Sequence, residues 1–275
     1  MTKIPSNGTS LYWQRAKEQF RFDLSLLKSS LDWTVWAYLF IPLFMVGVYH
    51  YSQMITGKAW WAEGISGTMI AVALSLFVLL GRIRIFLHPA DQLFLWQEQS
   101  WINSLKRWGL IHFYLKSFGS TSLLGLLLFP FLHIYLQFSL VNIVQLFILL
   151  WLAKGLFALL KRMADLSFPP VTAYLFKGVL WGLNLMLFVV VIPHPHSGRM
   201  VGLTALLGLF SLLCIRLYFK KPLPFDRASK LEAKEKLKYA RFLLAQTVFL
   251  GSPSYVAGQK ARLRAKPLLF RRSQP

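Results

Sequence analysis

About six stretches of this sequence are apolar and long enough to cross a lipid bilayer, which takes roughly 20 such residues per helix. They run from Trp33 to His50, Gly64 to Gly81, Leu115 to Leu136, Leu140 to Leu160, Val171 to Ile192 and Met200 to Phe219. Inside lipid, backbone polar groups must pair within the structure, so only helices or closed barrels can span. None of the six alternates apolar with polar residues, which argues against a barrel. The fold class expected is all-α: a polytopic helical membrane protein.

Charge supplies the expected topology. Lys and Arg number 31 against 10 Asp and Glu, a net charge of +21. In a soluble protein that excess would suggest nucleic-acid binding. Here it follows the loops instead, and no nucleic-acid partner is expected. Lys3, Arg15, Lys17, Arg21 and Lys28 precede the first run, and Lys58 alone lies in the loop after it. Arg82, Arg84, Lys106, Arg107 and Lys116 follow the second run, Lys161 and Arg162 the fourth. Only Arg199 stands before the sixth, and a long basic series runs from Arg216 to Arg272. Basic loops stay on the cytoplasmic side, so both termini are expected inside. The first apolar run begins too far into the chain, and too many follow it, for a cleavable signal peptide.

Three parts are expected. Residues 1–31 form a cytoplasmic or interfacial amphipathic helix, with Trp13, Ala16, Phe20, Leu24, Leu27 and Leu31 at helical spacing. It either lies among headgroups or packs on the body or a partner. Residues 32–219 form the transmembrane domain, including a cytoplasmic connection over 82–116. In that connection Pro89 and Asp91 suit a helix start, and Leu93, Phe94, Trp96, Trp101, Leu105 and Trp108 make an unusually aromatic helix. Residues 220–275 form a basic cytoplasmic tail with a helix over 229–250, where Ser229 and Glu232 fit a capping box. Gln137 to Ser139 makes a tight hairpin, Pro130 suggests a kink, and Pro169 and Pro170 break the chain before the fifth run.

Little in the sequence speaks for catalysis. Gly57-Lys58 is followed by Ala59, so it is not a phosphate loop. His194 and His196 flank a proline in a short turn and do not make a zinc set. His88 and Asp91 are too close for the usual acyltransferase pair, and no nucleophile elbow exists. Cys214 is the single cysteine, so no internal disulfide or cysteine metal site can form. No cofactor is expected. Within the spans, His133, Asn142, Lys154, Lys177 and Asn184 are the polar candidates. A charge at that depth costs a few kcal/mol, so each lysine either snorkels to the surface or serves a cavity or a helix contact.

The run Arg84-Ile85-Phe86-Leu87-His88-Pro89-Ala90-Asp91-Gln92-Leu93-Phe94-Leu95 resembles the signature of EcsB-type ABC transporter permeases. Phe225-Asp226, the charged helix with Glu232, Glu235 and Arg241, and the basic stretch near Arg262 to Arg272 extend the likeness. In this sequence Trp96-Gln97 replaces the proline that often follows Phe-Leu in that family. Its members continue into further membrane helices, so an end at Pro275 implies a short variant or a truncated copy. The resemblance implies a multi-pass permease of the bacterial plasma membrane, working with a separate cytoplasmic ABC ATPase and exporting peptides or similar amphiphilic cargo. A second permease subunit or a second copy would complete the assembly. A non-transporting membrane adaptor is the alternative. Asp91, Phe94, Trp96 and Trp101 are the residues expected to dock the ATPase, Asp91 by starting the helix or holding Arg84, the rings by filling a pocket. The competing expectation is that the rings lie in the headgroup layer.

Overall fold

The computed structural model describes residues 7–30, 33–88, 91, 99–192 and 197–235. Among these residues every element is helical. In chain order they are α1 (Gly8–Ser30), α2 (Trp33–Ile55), the short α3 (Trp60–Glu63), α4 (Gly67–Leu79) and α5 (Gln99–Pro130). A π-helical turn (Phe131–Tyr135) follows, then α6 (Leu140–Ser167), α7 (Pro170–Val191) and α8 (Ser197–Lys220). Residues 225–235 are also helical and are called α9.

Local chemistry accounts for several boundaries. Ser66 caps α4 by accepting from Met69 N–H at 3.4 Å, and Ser139 caps α6 by accepting from Asn142 N–H at 3.3 Å. Pro169 and Pro170 open α7, where a missing N–H costs nothing. Gln137, at φ 53°, turns the hairpin between the π turn and α6. Pro130 is followed by that π turn: Leu136 N–H reaches Phe131 O at 3.3 Å, five residues back.

Among the described residues, four helices are long and apolar enough to cross a membrane: 100–135 (α5 with its π turn), α6, α7 and α8. The second apolar run differs from its expected length. Its helix, α4, has only 13 residues, about 20 Å at 1.5 Å per residue. The chain leaves helical structure at Leu80. The third run differs in the other direction. Most of it is the C-terminal part of a 32-residue helix that begins at Gln99, so Trp101, Leu105 and Trp108 share one rod with the apolar segment.

The central helix is α6, most of whose apolar window is buried, against a third or less for α5, α7 and α8. Lipid offers helices no hydrophobic reason to associate, so close packing must hold them. Here two glycines provide it reciprocally. Phe147 of α6 lies over Gly125 of α5, and the Tyr114 ring of α5 lies over Gly155 of α6, leaving no room for a side chain at either glycine. Tyr114 Oη also meets Ser211 Oγ of α8 at 3.0 Å. By contrast, α2 is exposed on every face from Leu39 to His50, as an apolar helix bathed in lipid would be.

One end of the bundle gathers the basic residues. Lys161, near the end of α6, donates to Leu79 O and Gly81 O at the end of α4. Lys106 of α5 donates to Lys221 O just past α8 at 3.0 Å. Both ammonium groups sit where the helix dipole is negative.

Candidate functional site

The segment that carries the resemblance is an extended strap. Residues 81–88 alternate: Ile83, Ile85 and Leu87 are buried, while Arg84 and Phe86 face partly outward. A strand-like period of two is what the run Arg82 to His88 offers. The strap lies so close to α5 that an added Cβ at Gly109 would come within 2.5 Å of Arg84 O. Phe86 adopts φ 55°, a conformation that is strained for a bulky residue. Two cations hold it: Arg15 Nη1 donates to Phe86 O at 2.9 Å, and the Arg84 guanidinium lies 4.8 Å from the Phe86 ring centroid.

Two buried carboxylates fasten the strap. Asp91 forms a bidentate pair with Arg15 of α1, both N–O distances being 2.6 Å, and accepts His88 N–H at 2.8 Å. Such forked pairs are among the stronger polar contacts. The Asp91 carboxylate therefore holds Arg15 and not Arg84, and it is buried at the junction of α1 with the strap. Glu232 of α9 is 3% exposed. Its Oε1 accepts Ile85 N–H and Arg162 Nη2 of α6, each at 3.0 Å, while Arg84 Nε stands 3.6 Å from Oε2. Next to it Glu235 pairs with Arg82. The expected capping box is corrected here. The helix already runs from residue 225, Ser229 Oγ donates to Asp226 O, and Glu232 is spent on the strap and α6. The buried face of α9 is Phe225, Ala228, Ser229 and Glu232, one helical stripe.

The N-terminal helix packs on the body. Leu11, Tyr12, Ala16 and Gln19 are buried, and Phe20 and Leu24 stay exposed. Tyr12 Oη and His112 Nδ1 are 2.8 Å apart, and Trp108 Nε1 donates to Thr9 Oγ1 at 2.9 Å. Burial pushes the Tyr12 phenol well up, with Glu232 adding to the shift and Arg84 opposing it. The phenol therefore keeps its proton at this contact.

Of the residues expected to dock a partner, Phe94 and Trp96 lie outside the described residues. Trp101 is half-buried at the start of α5, close to Gly8 of α1. The intramembrane candidates do not converge. Lys154 is buried: Nζ donates to Ser120 Oγ at 2.9 Å and lies 3.7 Å from the Phe77 ring centroid. Lys177 pairs with Asp165, and Asn184 Nδ2 donates to Ser75 O of α4 at 2.9 Å. His133 Nδ1 meets Phe138 O at 3.1 Å in the hairpin, and Asn142 belongs to the first turn of α6. The His194–His196 turn, Arg241 and the rest of the expected helix to 250 lie outside the described residues. No group of three or more His, Cys, Asp or Glu suited to a metal occurs among the described residues.

Arg15, Arg162 and the buried role of Glu232 were missed by the sequence reading. The alternation over Ile83, Ile85 and Leu87 was the one available signal. Comparison with known proteins agrees with the strap's resemblance. The family model described as "Bacterial ABC transporter protein EcsB" matches residues 9–262. A curated relative, "Putative transporter YthQ" of Bacillus subtilis (strain 168), is 25% identical over 276 residues, covering 98% of this chain and 69% of that protein. No solved structure matches. The chain belongs to the EcsB family of bacterial ABC transporter proteins.

Proposed function

We propose that this chain is the transmembrane permease subunit of an ABC transporter, driven by a separate cytoplasmic ATPase and exporting peptides or similar amphiphilic cargo from a bacterial plasma membrane. Membership of the EcsB family carries the reading. The geometry of the basic end supports it. There Arg15 of α1 pairs with Asp91 beside the strap, Glu232 of α9 pairs with Arg162 of the central helix, and α5 joins α1 through the Tyr12–His112 and Trp108–Thr9 hydrogen bonds. A partner pushing on these elements would move α5 as one 32-residue rod and, through Glu232, α6. Rocking of one part of a bundle against another is how many transporters expose a site to alternate sides.

Six spans with both ends inside complete this reading, with α2 and α4 as the first two. Thiols introduced at Lys58 and Arg199 should label from outside, and one at Asn103 should not. Strong outside labelling at Asn103 would sink the topology.

The docking surface is assigned to the rings of Phe94, Trp96 and Trp101. Phe94→Ala with Trp101→Ala should weaken capture of the ATPase about thirtyfold or more, since one buried aromatic anchor is commonly worth about 2 kcal/mol. Membrane insertion should be unchanged. Wild-type capture by the double variant would remove these rings from the interface. ATP-dependent transport in vesicles holding both proteins then separates a permease from a non-transporting adaptor.

A further inference from the structure

We propose that the cavity walled by the strap and by α4, α6, α7 and α9 at the basic end binds an anionic phosphate group, whether or not the chain moves cargo. The cavity has a volume of about 230 Å³, far above the roughly 10–15 Å³ that one ordered water requires. Arg82, Arg84, Lys161, Arg162 and Lys177 line it. Against them stand only Asp165, Glu232 and Glu235, and each of these carboxylates is already paired with one of the cations. Two positive charges are left over. Lys161 illustrates the excess: its ammonium donates to two neutral carbonyls, Leu79 O and Gly81 O, and an ammonium has three donors. Gathering like charges around a hollow is unfavourable unless an anion joins them.

Phosphate is the chemistry that fits. Guanidinium and ammonium groups together recognise phosphate oxygens, and basic pockets between membrane helices commonly take lipid headgroups. The surroundings admit that source. The first turns of α7, which supplies Lys177, expose Val171, Tyr174 and Leu175, an apolar face suited to acyl chains. Arg82, whose side chain is 53% exposed, equally opens the cavity to free phosphate.

The test uses the full chain in phosphatidylcholine nanodiscs doped with either phosphatidylglycerol or diacylglycerol. Lipid retained on the protein is counted by native mass spectrometry, and thermal unfolding is followed with and without inorganic phosphate. The variants are Lys161→Gln with Lys177→Gln, and Arg82→Gln with Lys177→Gln. The second pair leaves the Lys161 contacts to α4 in place. Preferential retention of phosphatidylglycerol that falls about tenfold or more in both pairs establishes a lipid headgroup as the source. Stabilisation by inorganic phosphate, lost in the same variants without any lipid preference, establishes free phosphate. If Arg82→Gln with Lys177→Gln matches the wild type in both measurements, the proposal is overturned.

Discussion

Glu232→Ala is expected to destabilise the chain by about 3–5 kcal/mol, the range for removing one partner of a buried ion pair. The carboxylate is 3% exposed and serves three groups at once: Ile85 N–H, the Arg162 guanidinium and, at 3.6 Å, Arg84. Alanine leaves the Arg162 guanidinium and the Ile85 N–H without their acceptor and Arg84 without its nearest carboxylate. Glu235→Ala is the control. Its partner Arg82 is half-exposed, and such pairs contribute only about 0–1 kcal/mol. Unfolding of the purified chain in detergent, by heat or denaturant, measures both. Glu232→Gln should fall between them, because the amide oxygen can still accept from Ile85 while the charge is lost. Replacing Glu232 and Arg162 together by Leu and Met should recover much of the loss, since apolar substitutes for a buried pair are often neutral. Equal effects of Glu232→Ala and Glu235→Ala would show that the strap does not depend on this carboxylate.

The helical membrane class was legible because it rests on composition over windows of about 20 residues. The runs of α6, α7 and α8, the hairpin at Gln137 to Ser139 and the start of α7 at Pro170 are all local signals, and the structure has them. The failures have a common physical origin. Ser229 and Glu232 match a capping box because that pattern spans four residues, yet the partners of Glu232 lie 147 and 70 positions away. Asp91 is helical, as its neighbours suggest, but the cation it holds is Arg15, 76 positions back, and not the nearby Arg84. No periodicity reports a contact at such separations. The overlong second run is a different case. Leu80 and Gly81 keep the run apolar after the helix has ended at Leu79, and the alternation of Ile83, Ile85 and Leu87 just beyond marks extended chain. Lys154 shows the remaining gap. Its depth in α6 was visible, but its neighbours Ser120 and Phe77 come from α5 and α4.

Asp91→Ala should release α1 from the strap, again at a cost of about 3–5 kcal/mol. The side chains of Asp91 and Arg15 are 10% and 13% exposed, so water can do little to replace the pair. Arg15 also holds the carbonyl of Phe86, the strained residue of the strap. Without its carboxylate the guanidinium loses the anchor that aims it there. Hydrogen exchange should therefore quicken in α1 and at the strap amides near His88, whose N–H donates to Asp91. Exchange in the hairpin of α5 and α6 should change much less, because it packs through Gly125 and Gly155 at a distance in sequence from either residue. Exchanging the charges, Arg15→Asp with Asp91→Arg, should restore part of the stability. It cannot restore all, since arginine offers His88 N–H no acceptor. The same variants divide the two roles open to Asp91. As an internal clamp, its loss loosens α1 first and weakens ATPase capture only through that loosening, so the charge exchange rescues both. As a direct partner contact, its loss weakens capture while α1 keeps its protection, and the charge exchange rescues neither. The second pattern would move Asp91 from the fold to the docking surface.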